Sequence, residues 1–271
     1  MRFILLALSV SILAGGCAAS MQQARLDAGE HYRLAQSYLG GGSYLLAEQE
    51  IKKALDLVSD EPRYYELLAL IHQAQGRLQS AEEAYRLALE QKGVPPSVLV
   101  NYSTLLLLLD RLDQAIAVAQ QALRDPHYDK PELAYTNLGL AYLKKGSLPQ
   151  AAEQLRIALT HRPDLPEAHY NLGLVYTRMG DREQAIRSFR EAIRYRPSYV
   201  AAHSSLSKVL LEAGRTDEAH LALERVVSLG KALLKAGRTD EARLAFERVV
   251  ALAPNSDMAM TSRNQLKLLA P

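Results

Sequence analysis

The residue types that most often carry out chemistry are present in this sequence, but their spacing forms no catalytic or metal-binding motif. Seven histidines are spread along the chain: His31, His72, His127, His161, His169, His203 and His220. None stands in HExxH or at another metal-ligand spacing with Asp, Glu or Cys, and GxSxG and GxGxxG are absent. The glycines at positions 40–42 fall at a turn between helices, which favours a loosened turn over a phosphate site. The sequence therefore predicts no enzyme, no cofactor and no metal site.

Composition narrows the class of partner. The chain is 48% hydrophobic and 23% charged, as expected of a folded protein. Its net charge is +2, and it contains no basic block. Nucleic acid is therefore a poor candidate partner.

The single cysteine, Cys17, follows a short apolar run. The chain begins MRFILLALSVSILAGGCAAS, with one cation, an apolar run over residues 3–14 and small residues before the cysteine. This run is typical of the core of a signal peptide, because a membrane-spanning helix needs about 20 apolar residues. We therefore expect a signal peptide over residues 1–16.

The stretch LAGGC resembles the lipobox of bacterial lipoproteins, with Ala14 where that family usually has Leu. The resemblance implies that Cys17 is acylated and becomes the mature N-terminus, joined to the folded part by a linker that ends at residue 27. Ala18 and Ala19 follow with no Asp, which resembles an outer-membrane address. The alternative is an ordinary secretory signal with an incidental cysteine, or a buried thiol. In either case the exported chain has no second cysteine for a disulfide.

The middle of the chain repeats itself with a period of 34 residues. Seven residues between positions 138 and 163 recur 34 positions later with the same identity. They are Leu138, Gly139, Tyr142, Gly146, Ala151, Ala158 and Pro163, which recur as Leu172, Gly173, Tyr176, Gly180, Ala185, Ala192 and Pro197.

The residue types within one period predict two antiparallel helices. Leu138 and Tyr142 share one face of a first helix, and Gly146 ends that helix. Ala151 lies on the face of a second helix, which Pro163 stops. Small residues recur because the two helices of a pair must approach closely.

The pattern resembles the tetratricopeptide repeat, and it extends in both directions. It places Gly42, Gly76 and Asp110 at earlier turns and Gly214 at a later one, with two extra residues in RDPHYDKPELAY. The resemblance implies an all-α, right-handed tetratricopeptide-repeat superhelix (an α-solenoid) over residues 28–256. We expect about six helical pairs, a partial duplicated pair and a C-terminal capping helix over residues 257–271.

The period breaks near the C-terminus. AGRTDEA begins at Ala213 and again at Ala236, only 23 residues later. We interpret this as a tandem duplication of 23 residues inserted into the sixth pair, which is long enough for one full second helix but not for a full first helix. We predict either one long helix over about residues 216–236 with a weak point at Gly230, or a stunted helix over about residues 229–236.

The first helices of stacked pairs line a concave face suited to peptide binding. A row of Asn in equivalent places of these helices can hydrogen-bond the backbone of an extended peptide. The residues predicted to form this groove are Asn101, Tyr135, Asn137, Leu140, Leu143, Tyr170, Asn171, Leu174 and Arg178. The alternative, that these Asn order helix–helix contacts within the array, stays open. The apolar run at residues 105–109 is a second candidate for docking, unless it packs against the second pair.

The signal peptide, lipobox and repeats together resemble the type IV pilus biogenesis/stability lipoproteins, the PilF/PilW family. That family also shares features of NYSTLLLLLDRLDQAIAVAQQALRDPHYDKPELAYTNLGLAYLKKG: Asn-Tyr opening the third pair, a DP–Tyr–Pro-Glu insertion, and Asn-Leu-Gly opening the fourth pair. The resemblance implies a pilotin, a periplasm-facing adaptor anchored to the outer membrane by its lipid, which helps a secretin subunit to localise or assemble. The alternatives are a general envelope adaptor that scaffolds cell-wall or secretion machinery, and a non-lipidated periplasmic protein-binding module.

Overall fold

The computed structural model describes residues 2–269, with side chains from residue 20 to residue 269. This part of the chain contains no strand and forms fourteen helices. They are α1 (Arg2–Gly40), α2 (Tyr44–Leu57), α3 (Pro62–Ala74), α4 (Leu78–Glu90), α5 (Pro96–Leu108), α6 (Leu112–Ala122), α7 (Pro131–Lys145), α8 (Leu148–His161), α9 (Pro166–Met179), α10 (Arg182–Tyr195), α11 (Val200–Glu212), α12 (Thr216–Lys235), α13 (Thr239–Leu252) and α14 (Asp257–Leu268).

The helices belong to two compact units, Met1–Tyr128 and Asp129–Pro271. The boundary falls between α6 and α7, in the connection that carries the two extra residues. The first unit consists of the pairs α1/α2, α3/α4 and α5/α6. The second consists of α7/α8, α9/α10 and α11/α12, followed by α13 and α14. Within the described part of the chain, no helix combines the length and apolar character that a membrane crossing requires.

Residues with positive φ end the first helix of each pair at the positions that the 34-residue period predicts. At the end of α7, the Gly146 N–H donates to the Leu143 carbonyl at 3.1 Å, and the Ser147 N–H donates to the Tyr142 carbonyl at 2.9 Å. Gly146 has φ 80°, which costs a glycine little. The other predicted turn residues also have positive φ: Gly42, Gly76, Asp110, Gly180 and Gly214.

In the pairs α7/α8 and α9/α10, the two helices pack closely across a glycine of the first helix. A Cβ on Gly139 would lie 2.5 Å from Leu155 Cγ, and a Cβ on Gly173 would lie 2.6 Å from the Phe189 ring. The second helices and α13 each carry an alanine at the equivalent position that is at most 2% exposed: Ala47, Ala81, Ala115, Ala151, Ala185, Ala219 and Ala242. The predicted reason for the small residues, close helix packing, is confirmed.

The apolar run on α5 is part of the core rather than a docking surface. Leu105, Leu106 and Leu107 are at most 4% exposed, and only Leu108 is largely exposed, at 62%. The idea that this run offers a patch for docking is therefore wrong. Helix α5 packs against α3, α4 and α6, which buries most of its side chains.

The duplicated segment forms one long helix, as the first of the two predicted alternatives states. Helix α12 has 20 residues, from Thr216 to Lys235, and runs through Gly230 without interruption. The weak point expected there is absent. Gly230 is instead buried, because a Cβ at this position would lie 2.8 Å from Phe246 of α13.

The chain closes its second unit with α14, a 12-residue helix. Its N-cap, Ser256, accepts a hydrogen bond from the Ala259 N–H at 3.1 Å. Three polar residues of this helix are exposed: Arg263, Asn264 and Lys267. Helix α14 packs against α13 and, to a smaller extent, α12.

We predict that Gly173→Ala lowers the stability of the second unit. Overpacking costs about 1–3 kcal/mol, which outweighs the gain of about 1 kcal/mol from the higher helix propensity of Ala. Gly29→Ala is the matched control, because nothing lies within 4 Å of a Cβ at this helical position. Urea unfolding followed by circular dichroism should show a lower midpoint for Gly173→Ala and no loss for Gly29→Ala. A Gly173→Ala variant as stable as wild type would contradict the packing argument.

Candidate protein-binding surface

The surface predicted to bind a peptide lies on α7 and α9, the first helices of two consecutive pairs in the second unit. Each begins with a proline in its first turn, Pro131 or Pro166, and each ends at a left-handed glycine. Leu140 and Leu174 occupy equivalent places one period apart, and both are half-buried against the same core cluster. These two leucines therefore form an apolar surface that remains partly open to solvent.

Two half-buried tyrosines belong to the same helices. The Tyr135 ring stacks on His161, with 5.6 Å between ring centroids. The Tyr170 ring packs on Phe189 at 5.8 Å and on Tyr199 at 5.0 Å. Each tyrosine thus holds its helix against a neighbouring element and leaves part of its ring accessible.

Burial changes the predicted groove at Leu143 and Asn171. Leu143 is 3% exposed and Asn171 is 8% exposed, so a bound peptide does not reach their side chains. Arg178 donates from Nη1 to the Leu143 carbonyl at 2.7 Å, which ties the end of α9 to the end of α7. This corrects the expectation that Leu143 and Asn171 line the groove. Asn137 is half-buried and has an interaction partner within the chain.

Asn101 lies on α5 in the first unit and has a structural role there. Its Nδ2 donates to Glu66 Oε1 on α3 at 2.6 Å. Burial raises the pKa of Glu66, and the hydrogen bond from Asn101 opposes that rise. The alternative interpretation, that Asn orders a contact between helices of neighbouring pairs, therefore holds for Asn101.

The accessible part of the predicted surface is smaller than the sequence indicated. Five of its residues are half-buried in the second unit and can contact both the core and a partner. They are Tyr135, Asn137, Leu140, Tyr170 and Leu174. Such a surface, apolar with one amide, is suited to a protein segment rather than to a small charged substrate.

In the first unit, a buried carboxylate links the first two pairs. Glu48 on α2 accepts hydrogen bonds from Lys52 at 2.8 Å, from Gln75 at 3.2 Å and from Arg77 at 3.0 Å. Burial would raise the pKa of Glu48, but these three donors lower it to about 2. Glu48 therefore stays charged at neutral pH and holds the turn after α3 against α2.

Further ion pairs join helices within each unit. In the first unit, buried Glu82 pairs with Arg111. In the second unit, Glu132 at the start of α7 pairs with Arg162, and Glu167 at the start of α9 pairs with Arg196. The Glu82–Arg111 ion pair joins one helical pair to the next, as Glu48–Arg77 does. Arg162 and Arg196 instead follow the second helix of the same pair, so their ion pairs hold α7 to α8 and α9 to α10.

The described part of the chain contains no cluster of side chains that could bind a metal ion. Among residues with described side chains, no group of three or more His, Cys, Asp or Glu could hold a metal ion. Cys17, predicted to carry the lipid, lies outside the residues whose side chains are described.

The repeats define the class of this protein. Residues 32–97 and 170–230 match one family model described as tetratricopeptide repeat, and residues 227–256 match another of the same description. Residues 139–180 match a model described as TPR repeat. The chain is a tetratricopeptide-repeat protein, and the predicted all-α fold class is confirmed. This family consists of scaffolds for protein interaction rather than enzymes, so the chain is a protein-binding adaptor.

The resemblance to PilF and PilW is also confirmed. The type IV pilus assembly protein PilF of Pseudomonas aeruginosa is 28% identical over 129 residues, which are 48% of this chain and 51% of that protein. The match thus spans about half the length of this curated relative. The crystal structure of PilW, described as a widely conserved type IV pilus biogenesis factor, has a TM-score of 0.66 at 23% identity and covers 86% of this chain and 97% of its own.

Two further structures share the fold. Pseudomonas aeruginosa PilF has a TM-score of 0.66 at 20% identity, over 90% of this chain and 99% of its own. YrrB, described as a TPR protein with an unusual peptide-binding site, has a TM-score of 0.51 at 20% identity, over 68% of this chain and 94% of its own. At these identities the likeness concerns the fold alone.

Sequence reasoning missed a second surface in the same unit. A cavity of about 520 Å³ lies where the start of α11 faces the second half of α12 and α13. Its lining includes Tyr199, Leu229 and Arg248, none of which belongs to the predicted groove. The 23-residue echo was the available signal, because it marks where the regular stacking of pairs is interrupted.

We predict that Glu48→Gln destabilises the first unit at neutral pH and flattens its acid transition. Because the folded pKa is about 2 against an ordinary 4.5, Glu48 stabilises the fold fully above about pH 4.5. That contribution, about 3 kcal/mol, is lost as pH falls towards 2. Urea unfolding between pH 7 and pH 2 should show the two proteins converging. The exposed Glu83→Gln is the control, and an acid profile of Glu48→Gln identical to wild type would contradict the assignment.

Proposed function

We propose that this chain is a lipid-anchored adaptor of the outer membrane that acts in type IV pilus biogenesis as a pilotin for a secretin. The observation that carries the proposal is the 28% identity to a type IV pilus assembly protein over 129 residues. The PilW-like fold over 86% of the chain supports it. So does LAGGC, which supplies Cys17 for acylation.

The proposed mechanism separates anchoring from recognition. Acyl groups on Cys17 hold the protein at the membrane, since several acyl chains together anchor stably where one does so only marginally. The repeats then present a partly open apolar surface around Leu140 and Leu174 to a segment of the secretin. Capture near the bilayer raises the local concentration of secretin subunits where they assemble.

A general envelope adaptor remains the second candidate. Its support is the likeness to YrrB, a tetratricopeptide-repeat protein described by its peptide-binding site, which shares the fold. The two candidates use the same surface and differ in the client protein. The phenotype of a strain that lacks the gene therefore distinguishes them.

Metabolic labelling with an alkyne analogue of palmitate tests the anchor. We expect the wild-type protein to incorporate label and to fractionate with the outer membrane, and Cys17→Ala to do neither. Cys17→Ser is a second variant, since it keeps the size of the side chain but offers no thiol. Absence of label on the wild type, or label that persists in Cys17→Ala, would refute lipidation.

Deletion of the gene tests the pilotin role. We expect heat-resistant secretin multimers and surface pili to be lost, and to return with the wild-type gene. A double variant, Leu140→Ser with Leu174→Ser, should restore them only weakly, because it removes apolar contact area from the proposed surface. Leu45→Ser is the matched control, since Leu45 is 74% exposed and lies on α2 in the first unit. Normal multimers and pili in the deletion strain would exclude a pilotin and favour the general adaptor.

A further inference from the structure

Helix α12 combines two structural roles that other pairs give to separate helices. Its first half packs on α11 as a second helix does, with Ala219, Leu223 and Val226 fully buried. Its second half packs on α13 as a first helix does. The contact of Gly230 with Phe246 has the same 16-residue separation as the contact of Gly173 with Phe189.

The fusion of these two roles removes a turn. Between α10 and α11, residues 196–199 reverse the chain and bring the next first helix against the preceding pair. No such reversal occurs within α12, which is helical from Thr216 to Lys235. The start of α11 therefore faces the second half of α12 and α13 across open space instead of a regular first helix.

That space is a groove with an apolar floor, which we call the duplication groove. Its volume is about 520 Å³, and its apolar lining includes Tyr199, Val200, Leu229, Leu233 and Leu244. Leu244 is 48% exposed, and the other four are half-buried. An opening of this size accepts a few bulky apolar side chains of a bound segment.

The rim of the groove is basic. Three arginines line it, Arg196, Arg238 and Arg248, against one carboxylate, Glu241. Arg238 is bound to Glu241 through two hydrogen bonds of 2.6 Å. Arg196 pairs with Glu167.

Arg248 is the rim charge with no counter-ion among the residues whose side chains are described. Arg196 and Arg248 line the groove together with Tyr199. Burial raises the pKa of Tyr199 to about 12, and the positive charges of these two arginines oppose that rise. The Arg196 guanidinium carbon lies 4.9 Å from the ring centroid. A carboxylate placed beside Arg248 and Tyr199 would meet a free guanidinium at the edge of the apolar floor.

We propose that the duplication groove binds a protein segment that carries Asp or Glu side chains beside bulky apolar ones. Leu or Phe side chains of that segment occupy the floor, and a carboxylate pairs with Arg248. The charge of the rim favours an acidic segment over a basic one. This inference goes beyond the proposed pilotin function, because it does not depend on lipidation or on a secretin.

Binding of a defined peptide to the full chain tests the proposal. The probe is a fluorescein-labelled, C-terminally amidated peptide, Asp-Leu-Phe-Asp-Leu-Phe, and its counterpart replaces both Asp with Lys. Fluorescence anisotropy should show affinity for the acidic peptide that is at least about tenfold higher, and this preference should shrink with added salt. Equal affinity for the two peptides would overturn the proposal.

Matched variants assign the binding to the groove. We expect Arg248→Glu and Leu244→Ser each to weaken binding of the acidic peptide about tenfold, and Arg248→Glu to reverse the charge preference. The controls are Lys231→Glu and Leu221→Ser, because both residues are exposed on α12 and neither lines the groove. Unchanged binding in Arg248→Glu, or equal losses in the controls, would place the peptide elsewhere and refute the assignment.

Deletion of residues 220–242 provides an independent test of the proposal. It removes one copy of the repeated stretch and joins LLEAGRTDEA to RLAFERVVALAPNS, which restores a regular sixth pair. We expect this protein to keep its helical circular dichroism and to lose the acidic peptide. Retained binding would refute the proposal, and if the protein does not fold, the Arg248→Glu result decides. Pili and secretin multimers report on the pilotin function separately.

Discussion

The close approach of two antiparallel helices across a small residue is the contact on which each repeat depends. In the second unit, Gly139, Gly173 and Gly230 each leave room for a large side chain that stands 16 residues later on the partner helix. Because the helices are this close, the large side chain of the second helix fills the space that a Cβ on the glycine would take. A large residue on the second helix therefore requires a glycine at the facing position of the first. The duplicated region keeps this arrangement, since Gly230 on α12 faces Phe246 on α13.

Contacts between neighbouring pairs are mainly local, which confines a change to the place where it occurs. Helices that are adjacent in the chain supply most of the packing within each unit, and ion pairs such as Glu48–Arg77 and Arg190–Glu218 join one pair to the next. A solenoid of this kind tolerates an insertion because no distant element must adjust to it. The long helix α12 is an example, since α13 and α14 continue to stack beyond it.

Two surfaces of the second unit thus differ in origin and in chemistry. The surface around Leu140 and Leu174 arises from regular stacking and is apolar with little charge. The duplication groove arises from a break in that stacking and combines an apolar floor with a basic rim, in which Arg248 lacks a counter-ion among the described residues. A protein-binding adaptor with both surfaces could hold two segments of different character, either from one client or from two.

The sequence by itself determined the period, the turns and the helix pairs. The spacing of Gly, Ala and Pro specifies these features locally. Gly146 takes a positive φ where the period places a turn, and Ala151 is buried where the period places a helix contact. Counting reduced the duplication to two alternatives, one long helix or a stunted one, because 23 residues cannot supply two full helices and a turn. The structure has the long helix. The resemblance to PilF and PilW likewise rested on motifs that can be recognised in the sequence without knowledge of the fold.

Only the tertiary structure decided which side chains remain accessible. Asn101 and Asn171 have the same residue type and similar places, yet one is bound to Glu66 and the other is 8% exposed. Leu143 and Leu108 belong to comparable helices, but the first lies in the core and the second is exposed. Periodicity fixes the face of a helix on which a residue stands, whereas burial depends on the neighbours that cover that face. The duplication groove is formed by three helices, so no single stretch of sequence contains it.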